Sequence, residues 1–323
     1  MPHPVSCTGT AGTSAFSLNK IPSRPGFTRA TLSAALRRLF DVAVDTGTGK
    51  KLSRQAQVQL CYCLSSLLHE PEPKVRQWLK LNTRYLARIE RFRNRAQSQA
   101  RLRAHKDSFK FQQRQEFEAL LRADGRSRIL LGFHFGDFIY GNNVLADSEP
   151  AGRSQYFLTQ LPPTDDFLHN MHCCFGDERF SNRAQLIVED TTAAELAALL
   201  RRSHCSLLSF ADLPAGFGER VAVNFLGRRA WFPKGPATLA LVCKVPLLPV
   251  MNCWDGKHNH LQLFDQIEPG LHARESLQEA TTRITQTLAG ILEQLLLQYP
   301  WQWRFLSALP AFFVEPDDGS GKD

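Results

Sequence analysis

Ile129-Leu-Leu-Gly-Phe-His-Phe-Gly-Asp-Phe-Ile-Tyr-Gly141 is the stretch on which the fold turns. Ile129 to Leu131 form an uninterrupted apolar run that reads as a buried strand. The run stops at Gly132, and a His, a Gly and an Asp follow at once. In open α/β sheets, ligands bind just past the carboxyl ends of strands. His134 therefore stands where a general base belongs, and an ordinary imidazole titrates close to neutrality. Asp137 has two readings: it orients His134, or it caps the first turn of a following helix.

The sequence after residue 128 repeats this texture. Gln155-Tyr-Phe-Leu158, Gln185-Leu-Ile-Val-Glu189, Ser206-Leu-Leu-Ser-Phe210, Val221-Ala-Val-Asn-Phe225, Val245-Pro-Leu-Leu-Pro-Val250 and His260-Leu-Gln-Leu-Phe264 read as further strands. Helical segments lie between and after them, over Thr192–Arg202, Ala237–Cys243 and Ser276–Gln298, with Thr191 or Thr192 as an N-cap of the first. Alternating strands and helices predict an α/β fold, a mostly parallel central sheet flanked by helices. Residues 27–122 read as a helical N-terminal region, with apolar residues at helical spacing in Thr31–Phe40 and Gln55–Leu68. The expected organisation is a loose tail over 1–26, the helical region packed on the core, an α/β domain over 123–306 and a C-terminal tail over 307–323.

The chain has 323 residues and a net charge of +8. No stretch approaches the apolar length that spans a bilayer, and the first residues lack the pattern of a secretory signal. Its eight cysteines include no Cys-x-x-Cys pair, which fits reduced thiols in a cytoplasmic protein. His169, His172, Cys173 and Cys174 have poor spacing for a tetrahedral ion, so no metal is expected. Arg84, Arg88, Arg91, Arg93, Arg95, Arg101, Arg103, Lys106 and Lys110 crowd one stretch. Such a stretch is a solvated face or a surface for an acidic partner, anionic lipid or an acidic carrier protein. The nucleic-acid signatures are missing.

Several blocks together resemble the lipid A biosynthesis (lauroyl/myristoyl) acyltransferases, a branch of the lysophospholipid acyltransferase superfamily. His134-Phe-Gly looks like the family's His-Phe-Gly-Asn-Trp-Glu block, and Ser209-Phe-Ala-Asp-Leu-Pro-Ala-Gly216 is similar to its aspartate-containing loop. Val223–Ala240 resembles its aromatic-Phe-Gly signature, Pro246-Leu-Leu-Pro-Val250 its Pro-x-hydrophobic-Pro strand, and Tyr299-Pro-Trp-Gln-Trp-Arg304 its ending. One position departs. The family's acidic partner stands five residues after the histidine, where this chain has Ile139. Asp137 is the nearest carboxylate and the first candidate to replace it. Glu189, Asp190 and Asp212 stand at or just past strand ends and are the alternatives. Arg179 and Arg183 match the family's central arginine region loosely.

The resemblance implies transfer of a fatty acyl group from acyl carrier protein or acyl-CoA to a hydroxyl or amine of a lipid or small-molecule acceptor. It requires no cofactor beyond the acyl donor. His134 is the expected base and Asp137 its orienting carboxylate. Gly136 offers a backbone N–H to an oxyanion, while Asp212, Arg228, Arg229, Lys234 and Gly235 are expected to contact substrate. Phe225–Phe232 and Leu247–Val250 are acyl-groove candidates that read more readily as core. Peripheral contact with the inner face of an anionic membrane would use the basic stretch. A non-catalytic lipid- or acyl-carrier-binding protein and a thioesterase are the competing readings.

Overall fold

Strand β2 (Arg128–Gly132) is buried along its whole length, and both of its neighbours run parallel to it. In the computed structural model the described residues are 54–123, 125–150, 152–158, 184–187, 191–201, 204–214 and 218–313, with 165, 166, 169, 170 and 173. The expected helix Thr31–Phe40 and both tails beyond these bounds lie outside them.

The described residues open with α1 (Arg54–Leu68), α2 (Glu72–Arg93), α3 (Gln99–Asp107), β1 (Phe109–Phe111) and α4 (Arg114–Ala123). After β2 come α5 (Phe138–Asp147), β3 (Ser154–Leu158), β4 (Ala184–Ile187), α6 (Ala193–Arg201) and β5 (Cys205–Phe210). The hairpin β6 (Arg220–Phe225) and β7 (Arg228–Pro233) precedes α7 (Gly235–Cys243), β8 (Leu247–Trp254), β9 (Asn259–Leu263) and α8 (Leu277–Gln298). Among the described residues seven strands form one sheet in the order β1-β9-β8-β2-β5-β3-β4. The β8-β2-β5-β3-β4 run is parallel, and β9 turns back antiparallel on β8.

Successive side chains of a strand point to opposite faces, and the central strands use this to build two cores. Ile129, Leu131, Leu207 and Leu247 join α1, α7 and α8 on one face. Leu130, Leu208 and Leu248 join α3, α4 and α5 on the other. That double burial explains why these strands read as continuous apolar runs. Helix starts follow local chemistry. Ser276 and Glu279 close a capping box at α8, and Thr192 accepts from the Glu195 N–H at α6.

Two strands depart from the sequence reading. Phe109–Phe111 is an edge strand of three residues inside the stretch expected to be helical; three residues are too few to show a period. Arg228–Pro233 pairs with β6 across a two-residue turn, Leu226-Gly227, in which both residues have positive φ, 51° and 71°. Such a turn normally announces itself with Asn-Gly or Asp-Gly, and leucine gives no such signal. The Leu226 N–H is instead held by Glu293 of α8 at 2.6 Å.

At the end of the sheet where β3 and β5 begin, Glu149 and Arg153 are almost fully buried, with the guanidinium Nε 3.5 Å from the carboxylate. Ser206 Oγ donates to Glu149 at 2.9 Å. Burial pushes the Glu149 carboxyl up to about 7, against the opposing pull of Ser206 and Arg153. The folded state then holds this proton more tightly than the unfolded chain does. Its contribution to stability is lost as pH rises from the ordinary glutamate range through about 7. The thermal midpoint of the parent should fall between about pH 5 and pH 7.5, and Glu149→Gln should flatten that slope. Parallel pH profiles for parent and variant would exclude Glu149 as the source.

Candidate active site

The β2–β5 register pairs Gly132 with Phe210, and the ladder continues with Ala211 N–H on the Gly132 carbonyl at 3.0 Å. Two residues further, that register sets His134 against Asp212. Phe133 and Phe135 are both buried, so the alternation of the chain turns His134 away from that core. Its Nδ1 lies 2.8 Å from Asp212 Oδ1. Asp212 Oδ2 accepts the backbone N–H of His134 and the indole N–H of Trp303, each at 2.8 Å. The carboxylate has no exposed surface.

This network settles the imidazole tautomer. An ionised carboxylate only accepts, so Nδ1 carries a proton, and in the neutral ring Nε2 is the nitrogen with the lone pair. Among the described residues nothing bonds to Nε2. The ring is walled by Phe210, Phe138 and Phe305, with centroids at 4.1, 4.7 and 4.9 Å. The arrangement can accept a proton at Nε2 and stabilise the resulting imidazolium through Asp212.

Asp137 neither orients His134 nor caps α5. Its Oδ2 lies 2.7 Å from Nε2 of His105, and it makes no side-chain cap bond. His105 projects from α3 among Phe92, Tyr140 and Phe109, at 4.5, 4.9 and 5.5 Å. Asp137 Oδ1, both side-chain polar atoms of Asn252 and the Tyr85 hydroxyl are buried without partners. Burial, and after it the charge of Asp137, raise the Tyr85 phenol well above its usual range. Buried polar groups of this kind are commonly satisfied by ordered water.

Gly136 is also placed differently from the expectation. Its N–H donates to the Gln302 carbonyl at 3.1 Å and is not free for an oxyanion. Its φ is +58°, and a Cβ would stand 2.5 Å from the Asn252 carbonyl oxygen. Nothing joins Arg228, Arg229, Lys234 or Gly235 to His134 among the described residues. Arg228 and Arg229 are exposed on the hairpin, Lys234 pairs with Glu219, and Gly235 opens α7. Phe225 and Phe232 are core. Glu189, Asp190, Arg179 and Arg183 lie outside the described residues. Among the described residues no group of three or more potential metal ligands occurs.

Residues near 302 form a clamp that sequence patterning gave no reason to place here. Gln302 bonds both the N–H and the carbonyl of Trp254, at 2.7 and 2.6 Å. Asn82 of α2 donates to the Trp301 and Trp303 carbonyls, and Arg304 N–H donates to the His134 carbonyl at 2.8 Å. The block Tyr299–Arg304 thus ties α2, the end of β8 and the His134 loop together.

A family model described as bacterial lipid A biosynthesis acyltransferase matches residues 33–309. No curated protein matches the chain.

Gly136→Ala should be costly, because it combines about 1–2 kcal/mol of left-handed backbone strain with a clash against backbone that cannot turn aside. The thermal midpoint should drop by at least about 4 °C. Gly152→Ala is the comparison, since φ is +91° there but nothing lies within 4 Å. Equal losses at the two positions would mean that the contact with Asn252 yields.

Proposed function

The chain belongs to the bacterial lipid A biosynthesis acyltransferase family and is an acyltransferase; from that premise we propose that His134 and Asp212 transfer a fatty acyl group from a thioester donor to a hydroxyl or amine of a lipid acceptor. The observation that carries the reading is the 2.8 Å His134–Asp212 bond with Nε2 left open beside it. His134 Nε2 takes the acceptor's proton as its oxygen or nitrogen attacks the thioester carbonyl. The C–S bond then breaks, and the imidazolium returns the proton to the departing thiolate. Asp212 holds Nδ1–H throughout and supports the transient positive charge. The first amides of α5 have no carbonyl partner within the helix and replace Gly136 as candidate oxyanion donors. The reaction needs no metal or bound cofactor, only the donor, acyl carrier protein or acyl-CoA.

Asp212→Asn isolates the dyad. The site of Oδ2 faces two fixed donors, the His134 N–H and the Trp303 indole N–H. The amide oxygen must occupy it, which turns the NH2 towards Nδ1. Nδ1 then has to accept, the proton moves to Nε2, and the base is lost without removal of any atom.

No described helix is long and apolar enough to cross a membrane. Arg84, Arg88, Arg91, Arg95, Arg101 and Arg103 are exposed along α2, α3 and the loop between them. They suit peripheral contact with anionic lipid on the cytoplasmic face, or docking of an acidic carrier protein.

Transfer is read as the intact mass of the acceptor after incubation with acyl donor. His134→Ala and Asp212→Asn should each lower the rate about a hundred- to ten-thousandfold, with folding retained. Asp137→Asn should cost far less, since Asp137 serves His105. Full activity in Asp212→Asn would end the dyad mechanism, and free fatty acid without acylated acceptor would make the protein a thioesterase. For the basic face, Arg91→Glu, Arg95→Glu and Arg103→Glu combined should weaken association with anionic vesicles or acyl carrier protein, as should added salt. Association indifferent to both would reduce these arginines to a solvated surface.

A further inference from the structure

Asp212 holds the His134 imidazole through one oxygen, and an indole from a distant part of the chain helps to set the other. Trp303 Nε1–H donates to Asp212 Oδ2 at 2.8 Å, beside the His134 backbone N–H on the same oxygen at 2.8 Å. The indole is held from several sides. Trp303 is fully buried and packed against Phe312 and Phe305, with centroids at 5.4 and 6.0 Å. Its carbonyl accepts from Asn82 Nδ2 at 2.7 Å, and its backbone bridges antiparallel to Phe135, the residue after the base. An apolar ring would fill core as well; a buried indole additionally needs an acceptor for its N–H, and here that acceptor is the carboxylate that holds the base.

Two donors on Oδ2 fix the rotation of the carboxylate, which leaves Oδ1 facing Nδ1 at 2.8 Å. A donor also draws negative charge from the carboxylate and favours its ionised form. We propose that Trp303 is a positioning residue for acyl transfer: its indole N–H fixes the Asp212 carboxylate against His134 and moderates the carboxylate's hold on the imidazole proton. The inference rests on the acyl-transfer reading and adds a residue to its machinery. The other neighbours of the imidazole do not compete for this role. Phe138, Phe210 and Phe305 are uncharged, Arg93 lies over the Phe138 ring at 5.8 Å from its centroid, and Asp137 is turned to His105.

Two replacements in the whole protein remove the donor. Trp303→Phe keeps a buried aromatic ring, and 3-benzothienylalanine in place of Trp303 keeps the double ring with sulfur where the N–H stood. Without the donor the carboxylate is more basic. It grips the imidazolium more strongly and itself takes up a proton at higher pH, so on either count the free base appears only at higher pH. The acid limb of the kcat/KM profile, and the titration midpoint of the His134 imidazole resonance assigned by its absence from His134→Gln, should both rise by about one pH unit. The value of kcat should fall about tenfold or more, with KM for donor and acceptor kept within about twofold. In an Asp212→Asn background the benzothienyl replacement should cost little further, because the group it acts through is already lost. A parent-like kcat and acid limb in the benzothienyl protein overturns the proposal even if Trp303→Phe is impaired, since ring shape is then what matters. A fall in kcat with both midpoints unmoved, or an undiminished further loss in the Asp212→Asn background, overturns it too and reduces Trp303 to packing. A raised His134 midpoint in a protein whose parent transfers no acyl group would sink the acyl-transfer reading, while the linkage of Trp303 through Asp212 to His134 would stand.

Discussion

The site depends on the pairing of β2 with β5. Those strands end together, and their register alone brings residue 134 to residue 212. Asp212 is then committed in three directions, to the imidazole, to the backbone that carries it and to Trp303. A carboxylate with no exposed surface is tolerable because every bond it makes is to a donor, and in such surroundings those bonds are stronger than in water. A slip of one residue between β2 and β5 would face the imidazole with Ala211 or Leu213 and leave the carboxylate buried without a partner.

Around that contact the structure sorts its groups by polarity. Phe138, Phe210 and Phe305 surround the imidazole and exclude water from its sides. The polar groups are held further out: His105 with Asp137, Arg304 with Glu90, and Arg93 over the outer side of Phe138. The histidine is thus held in an apolar collar with a polar, charged margin. An amphiphilic substrate, apolar in its acyl chains and charged in its headgroup, has the complementary division.

Much of this was legible in the amino-acid order. The central strands are apolar throughout because both of their faces are covered, and His134 stands out because it interrupts such a run at a strand end. What escaped was pairing between distant segments. His134 and Asp212 are 78 residues apart, and His105 and Asp137 are 32 apart; no local spacing links either pair. Asp137 looked right because it is near in sequence, yet the turn through Gly136, at a φ of +58°, sends its side chain towards α3. Asp212 could be singled out as a strand-end acid, but choosing it required knowing that β5 is the neighbour of β2. The second strand of the hairpin escaped because a leucine occupies its turn.

Trp303 gives the site an order of assembly. A chain emerging from the ribosome as far as β9 already contains His134, Asp212 and the strands that align them. It still lacks the indole that fills Asp212 Oδ2, the Gln302 side chain that bridges Trp254, and the Arg304 N–H that fixes the histidine's carbonyl. The His134–Asp212 contact is therefore completed by residues synthesised after both of its members.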